Sequence, residues 1–72
     1  MKNLTIKWTP DIGGRAALVA ADETGEDQFI VEHDDPIDEK TDSHAIVELF
    51  DFAAAVQSVD HDGKYIHVTI AD

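Results

Sequence analysis

Leu4, Ile6 and Trp8 alternate with Thr5, Lys7 and Thr9 up to Pro10, the two-residue period of a strand with one buried face and a proline at its end. Asp11-Ile12-Gly13-Gly14 supplies a flexible reversal, and the apolar run over 15–21 is fenced by Gly14 and by Asp22-Glu23-Thr24-Gly25. Its alanines permit a helix, but a run this short is a poor helix in isolation. The next run, Gln28-Phe29-Ile30-Val31-Glu32-His33, is β-branched and aromatic, the composition of a hairpin partner across a glycine turn. Three strands therefore form a meander that ends at Asp34-Asp35-Pro36, and 37–42 is a polar connector.

Beyond the connector the period changes. On a 100° wheel Ala45, Ile46, Leu49, Phe50, Ala53 and Val56 share one broad face, and His44, Glu48, Asp51, Ala55 and Ser58 the other. The pattern predicts a helix over 43–58, capped by Asp42 or Ser43, whose oxygen accepts from free N–H groups of the first turn. Tyr65 to Ala71 then resumes strict alternation, with Ile66, Val68 and Ile70 pointing one way. The fold class expected is α+β: a two-layer β-β-β-α-β sandwich with a mainly antiparallel four-stranded sheet covered on one face by one helix. After a helical crossover the last strand is expected parallel to the first or third. Ile46, Leu49, Phe50, Ala53 and Val56 then pack against Ile66, Val68 and Ile70. Phe52, with Val47 or Val59, sits at the margin of that apolar face, either as more core or as an exposed contact patch.

Charge changes the picture more than composition does. Lys+Arg 5 against Asp+Glu 16 leaves a formal net charge of -11 on 72 residues, beyond the magnitude of about 2–8 suited to a small soluble domain. A hydrophobic content of 43% with clear periodicity still indicates one folded domain over 1–72. Without cysteine there is no disulfide, thiol nucleophile or Cys-based zinc site. Neither a signal-type apolar run nor a membrane-length segment occurs, so a soluble, cytoplasmic protein is expected.

Ten of the acids fall within 22–42: Asp22, Glu23, Glu26, Asp27, Glu32, Asp34, Asp35, Asp38, Glu39 and Asp42, opposed there only by Lys40. A hairpin tip, a strand edge and the connector would gather them into an anionic ridge that Glu48 and Asp51 extend along the helix. Carboxylates on alternate strand residues stand about 6.7 Å apart, comparable to successive phosphates of an extended nucleic acid. Such a surface suits a groove lined with Lys and Arg, with association steered by charge.

Other motifs point less far. Ser58-Val59-Asp60-His61-Asp62-Gly63 approximates the first half of a calcium loop, but the twelfth position is Thr69 where a bidentate Glu is required, and a turn with Gly63 in a left-handed conformation explains the same residues. His33, His44, His61 and His67 form no two-His ligand spacing. Asp42-Ser43-His44 contains the residue types of a hydrolase triad, yet neighbours in sequence point apart and a triad needs convergence. No catalytic residue, metal or cofactor is assigned.

In its length, acidity and lack of cysteine or catalytic motif, with the stretch Asp22-Glu23-Thr24-Gly25-Glu26-Asp27 and the acids of 32–42, the chain resembles the small inhibitors of phages and mobile elements, the anti-CRISPR and anti-restriction proteins, many of them DNA mimics. The resemblance implies a non-enzymatic inhibitor that occupies the basic nucleic-acid-binding site of a protein target, in the host cytoplasm, as a monomer or weak homodimer. It implies no direct nucleic-acid or membrane binding, and no residue roles carry over because that class shares no common fold. Two alternatives remain open: a salt-adapted or accessory domain whose acidity serves solubility, fitting an Asp excess over Glu, and an antitoxin-like partner of a basic protein.

Overall fold

The computed structural model describes residues 1–71. Five strands, β1 (Lys2–Ile12), β2 (Arg15–Ala21), β3 (Asp27–Glu32), β4 (Val56–His61) and β5 (Ile66–Ile70), form one sheet in the order β3-β2-β1-β5-β4. Every neighbouring pair is antiparallel. A short helix α1 (Ser43–Glu48) and a 3-10 helix over Asp51–Ala55 lie between β3 and β4 in sequence. The class is α+β.

The meander forms as its pattern indicates, with one change at its first turn. β1 continues through Pro10 to Ile12, and its register with β2 shifts between Thr9 and Ile12. Proline lacks a ladder donor, and a bulge is where a strand tolerates that loss. Gly13 and Gly14 then close the hairpin at φ 61° and 88°, the positive values that a two-residue turn compatible with strand twist demands.

The second half of the chain departs from the helix expected over 43–58. α1 stops at Leu49, Phe50 is extended (φ −98°, ψ 150°), and Val56 begins a fifth strand. The cause lies in Phe50 and Phe52. Residues two apart on an α-helix project about 200° from one another, so a continuous helix cannot bury both against one sheet. Broken at Phe50, the chain buries both to 3% and 8% exposure; their rings stack 5.0 Å apart, and Phe52 meets Phe29 edge-on at 4.9 Å. Leu49 and Ala45, expected in the core, are exposed as a result. Val56 and Ser58, expected in the helix, pair with β5 instead, as does Val59 just beyond it.

The extra strand also reverses the chain once more. Asp62-Gly63-Lys64-Tyr65 turns one strand into another, with Gly63 at φ 96°, and β5 therefore lies antiparallel to β1 where a parallel crossover was expected. One sheet face carries the core: Leu4, Ile6, Leu18, Ala20, Ile66, Val68 and Ile70 beneath Ile37, Ile46, Val47, Phe50 and Phe52. On the opposite face Val19 is buried to 1% between its ladder neighbours Lys7 and Ile30.

Candidate functional site

The acidic segment starts at the β2–β3 hairpin, whose tip is built around one carboxylate. Asp22 Oδ1 accepts from Thr24 N (2.9 Å), Thr24 Oγ1 (2.6 Å) and Glu26 N (3.1 Å), while Oδ2 accepts from Gln28 Nε2 (2.9 Å). These donors, the Thr24 hydroxyl foremost, hold its pKa below the usual carboxylate value. Glu23, Glu26 and Asp27 stand exposed around the tip, Glu23 accepting from the Asn3 amide. Asp27 and Glu32 mark the two ends of β3, a sheet edge, and Arg15 donates to Glu32 at 2.7 Å.

From there the connector turns the corner of the sheet. Trp8 Nε1 donates to the His33 carbonyl at 2.9 Å, Ile37 is buried as an anchor, and Glu39 packs beside Gly63 in the β4–β5 turn. Asp34, Asp35, Asp38, Glu39 and Asp42 are all exposed along this path. Asp38 Oδ1 accepts from Lys40 N (2.8 Å), and Asp42 is the N-cap, accepting from His44 N (3.0 Å) and Ala45 N (3.4 Å). The ten acids thus gather at the two ends of β3, around the hairpin tip at one and along the connector at the other. Glu48 stands apart from them, lining an open groove with Gln57 and Ser58 of β4 at the opposite edge, and Asp51 is exposed on the 3-10 helix.

The regular repeat suggested by strand spacing is not realised on β3. Its central residues Gln28, Phe29, Ile30 and Val31 are uncharged, so Asp27 and Glu32 lie about 17 Å apart at the rise of an antiparallel strand. The acids form two groups flanking an uncharged edge. Two basic side chains stand beside the connector: Lys7 and Lys64 border an open slot of about 280 Å³ with Trp8, Pro36, Ile37 and Tyr65, Lys64 Nζ lying 5.5 Å from the Tyr65 ring centre.

Asp42-Ser43-His44 opens the helix and forms no triad. A different Asp, His and hydroxyl do meet. Asp62 Oδ2 lies 3.0 Å from His67 Nε2, and His67 Nδ1 lies 3.2 Å from Thr5 Oγ1, on the uncovered face of the sheet. Asp62 Oδ1 also accepts from Tyr65 N (2.7 Å) and Lys64 N (3.0 Å). The Tyr65 amide foremost, then His67 and the Lys64 amide, pull its pKa down to about 2. Thr5 sits in the middle of β1, between β2 and β5, so its backbone N–H serves a ladder. The chain of bonds rests on the Thr5↔His67 register, which exists only because β5 is antiparallel to β1. Among the described residues no three His, Asp or Glu side chains converge as a metal set, and no helix is long and apolar enough to cross a membrane. No family model, curated protein or solved structure matches the chain.

Proposed function

We propose that the protein acts by binding, as a non-enzymatic inhibitor whose acidic border occupies the basic nucleic-acid-binding site of a protein target and excludes DNA or RNA. The observation that supports this reading is the course of 22–42. It carries ten acids around the two ends of the β3 edge, nine of them exposed, and among the described side chains Arg15 ion-pairs with one of them, Glu32. A border of this kind steers a basic partner in solution and competes with phosphate for the same cations. Because contacts among exposed charges are screened beyond about 8 Å at physiological ionic strength, binding weakens as salt rises.

The test is affinity capture from host lysate with the wild type and with a variant carrying Glu26→Gln, Asp27→Asn, Asp34→Asn and Asp35→Asn. A partner retained by the wild type, lost by the variant and released by duplex DNA supports the proposal. Retention by the variant, or indifference to DNA, refutes it.

A second reading, an accessory domain whose acidity serves solubility, is favoured by how many aspartates serve turns: Asp11, Asp22, Asp38, Asp42 and Asp62 each accept from nearby backbone N–H groups. It expects the chain to melt at low salt and recover at molar salt, with no partner lost in the neutralised variant. The inhibitor reading expects a chain folded at ordinary ionic strength.

A further inference from the structure

β3 pairs with β2 on one side only. The His33 amide donates to the Ala16 carbonyl at 3.2 Å, so by strand alternation Val31 and Phe29 direct their backbone groups to β2, while Gln28, Ile30 and Glu32 direct theirs outward. Ile30 stands at the centre of this rim, 54% exposed and among the few large apolar side chains left in solvent. Gln28, Phe29 and Val31 complete an uncharged stretch. Glu26 and Asp27 lie at one end, and Glu32, Asp34 and Asp35 at the other, all exposed. An unpaired edge is a template for another strand, and native proteins commonly guard it with charge.

The guard is selective. A second copy of this chain paired antiparallel about Ile30 would set Glu26 and Asp27 against Glu32, Asp34 and Asp35 at both ends, and like charges placed opposite one another are destabilising. A segment with Lys or Arg at both ends meets attraction at those places. We infer that the outer rim of β3 accepts an extended segment of a protein partner as a sixth strand, one in which basic residues bracket four or five β-branched residues. Backbone hydrogen bonds from Gln28, Ile30 and Glu32 supply the docking, Ile30 packs against an apolar side chain of the added strand, and the two acidic groups fix its ends. This rests on the reading of the acidic border as a binding surface and gives that surface a geometry.

The experiment uses the full chain and two synthetic peptides of equal charge, Lys-Arg-Val-Thr-Val-Thr-Val-Arg-Lys and Lys-Arg-Gly-Ser-Gly-Ser-Gly-Arg-Lys, read by fluorescence anisotropy and amide hydrogen exchange. The expected result is at least tenfold tighter binding of the valine peptide, with exchange at the Ile30 and Glu32 amides slowed at least tenfold. Ile30→Pro removes an outward N–H that β2 does not use, a position where an edge strand tolerates proline, and should abolish the preference. Ile30→Lys serves as the second variant and should abolish it too. Equal binding of both peptides without amide protection overturns strand addition while leaving the charge-based reading standing. Binding of neither peptide overturns both. Protection of the same amides through concentration-dependent self-association overturns the inference in favour of a second copy.

Discussion

Replacing Phe52 with alanine tests the break in the helix directly. Phe52 is 8% exposed, stacks on Phe50 and meets Phe29 edge-on. Truncating a buried phenylalanine costs about 3–5 kcal/mol through lost transfer energy and the cavity left behind. A chain of 72 residues has a total stability of about 4–11 kcal/mol at typical values per residue, so the variant loses a large part of it. At about 4–8 °C per kcal/mol for a domain of this size, the melting temperature should fall by about 12 °C or more. Leu49→Ala is the control, because Leu49 is 46% exposed at the helix C-cap and its truncation should cost about 1 kcal/mol or less. If Phe52→Ala leaves too little folded protein to measure, Phe52→Leu keeps an apolar side chain and removes two ring contacts, for a loss of about 1–3 kcal/mol. Urea titration followed by the emission of Trp8, the one tryptophan in the sequence, with circular dichroism melts, gives each value. A continuous helix ranks Leu49 at or above Phe52, so a Leu49→Ala loss equal to that of Phe52→Ala would refute the break and the core built on it.

Two further expectations concern turns. The Asp62 carboxyl is held down to about 2 from 3.8 in the folded state, so its contribution is present above pH 4 and lost as the pH falls toward 2; melting curves across that window should show an acid-dependent loss in the wild type that is smaller in Asp62→Asn. Gly63→Ala should destabilise more than Gly13→Ala in thermal melts, because a Cβ at Gly63 (φ 96°) would lie 3.3 Å from Glu39 Cγ while one at Gly13 (φ 61°) meets nothing within 4 Å; equal losses would remove Glu39 from the argument.

The meander was legible because Leu4, Ile6 and Trp8 alternate strictly and because the fenced run before Asp22, though its alanines permit a helix, is too short for a stable one and faces a β-branched partner. The stretch after Asp42 was not, because Ile46, Leu49, Phe50, Ala53 and Val56 fit a 3.6-residue wheel as well as the observed path does. What decided between them was tertiary: Phe29, on a distant strand, offers Phe52 a partner that the wheel does not contain. Once β4 was missed, the direction of β5 and the meeting of Asp62, His67 and Thr5 were lost with it, since that meeting depends on register. Exposure of nine of the ten acids in 22–42 follows from their charge, and of the two cap candidates, Asp42 and Ser43, the structure uses Asp42. Their division into two groups around an uncharged strand followed only from where β3 begins and ends.

The use of aspartate at the corners bears on how this surface can change over time. A carboxylate on one methylene reaches backbone donors two or three residues ahead, as Asp11, Asp22, Asp38, Asp42 and Asp62 do, and the longer glutamate side chain does not replace it in such a turn. Asparagine retains the accepting oxygen and discards the charge. The chain thus carries two unequal stocks of negative charge. Glu26 and Glu48 are free to drift through any polar residue, whereas the corner aspartates exchange with asparagine, serine or threonine far more readily than with glutamate. Loss of acidity in a lineage would leave a neutral protein with the same turns, and the fold would outlast the field around it.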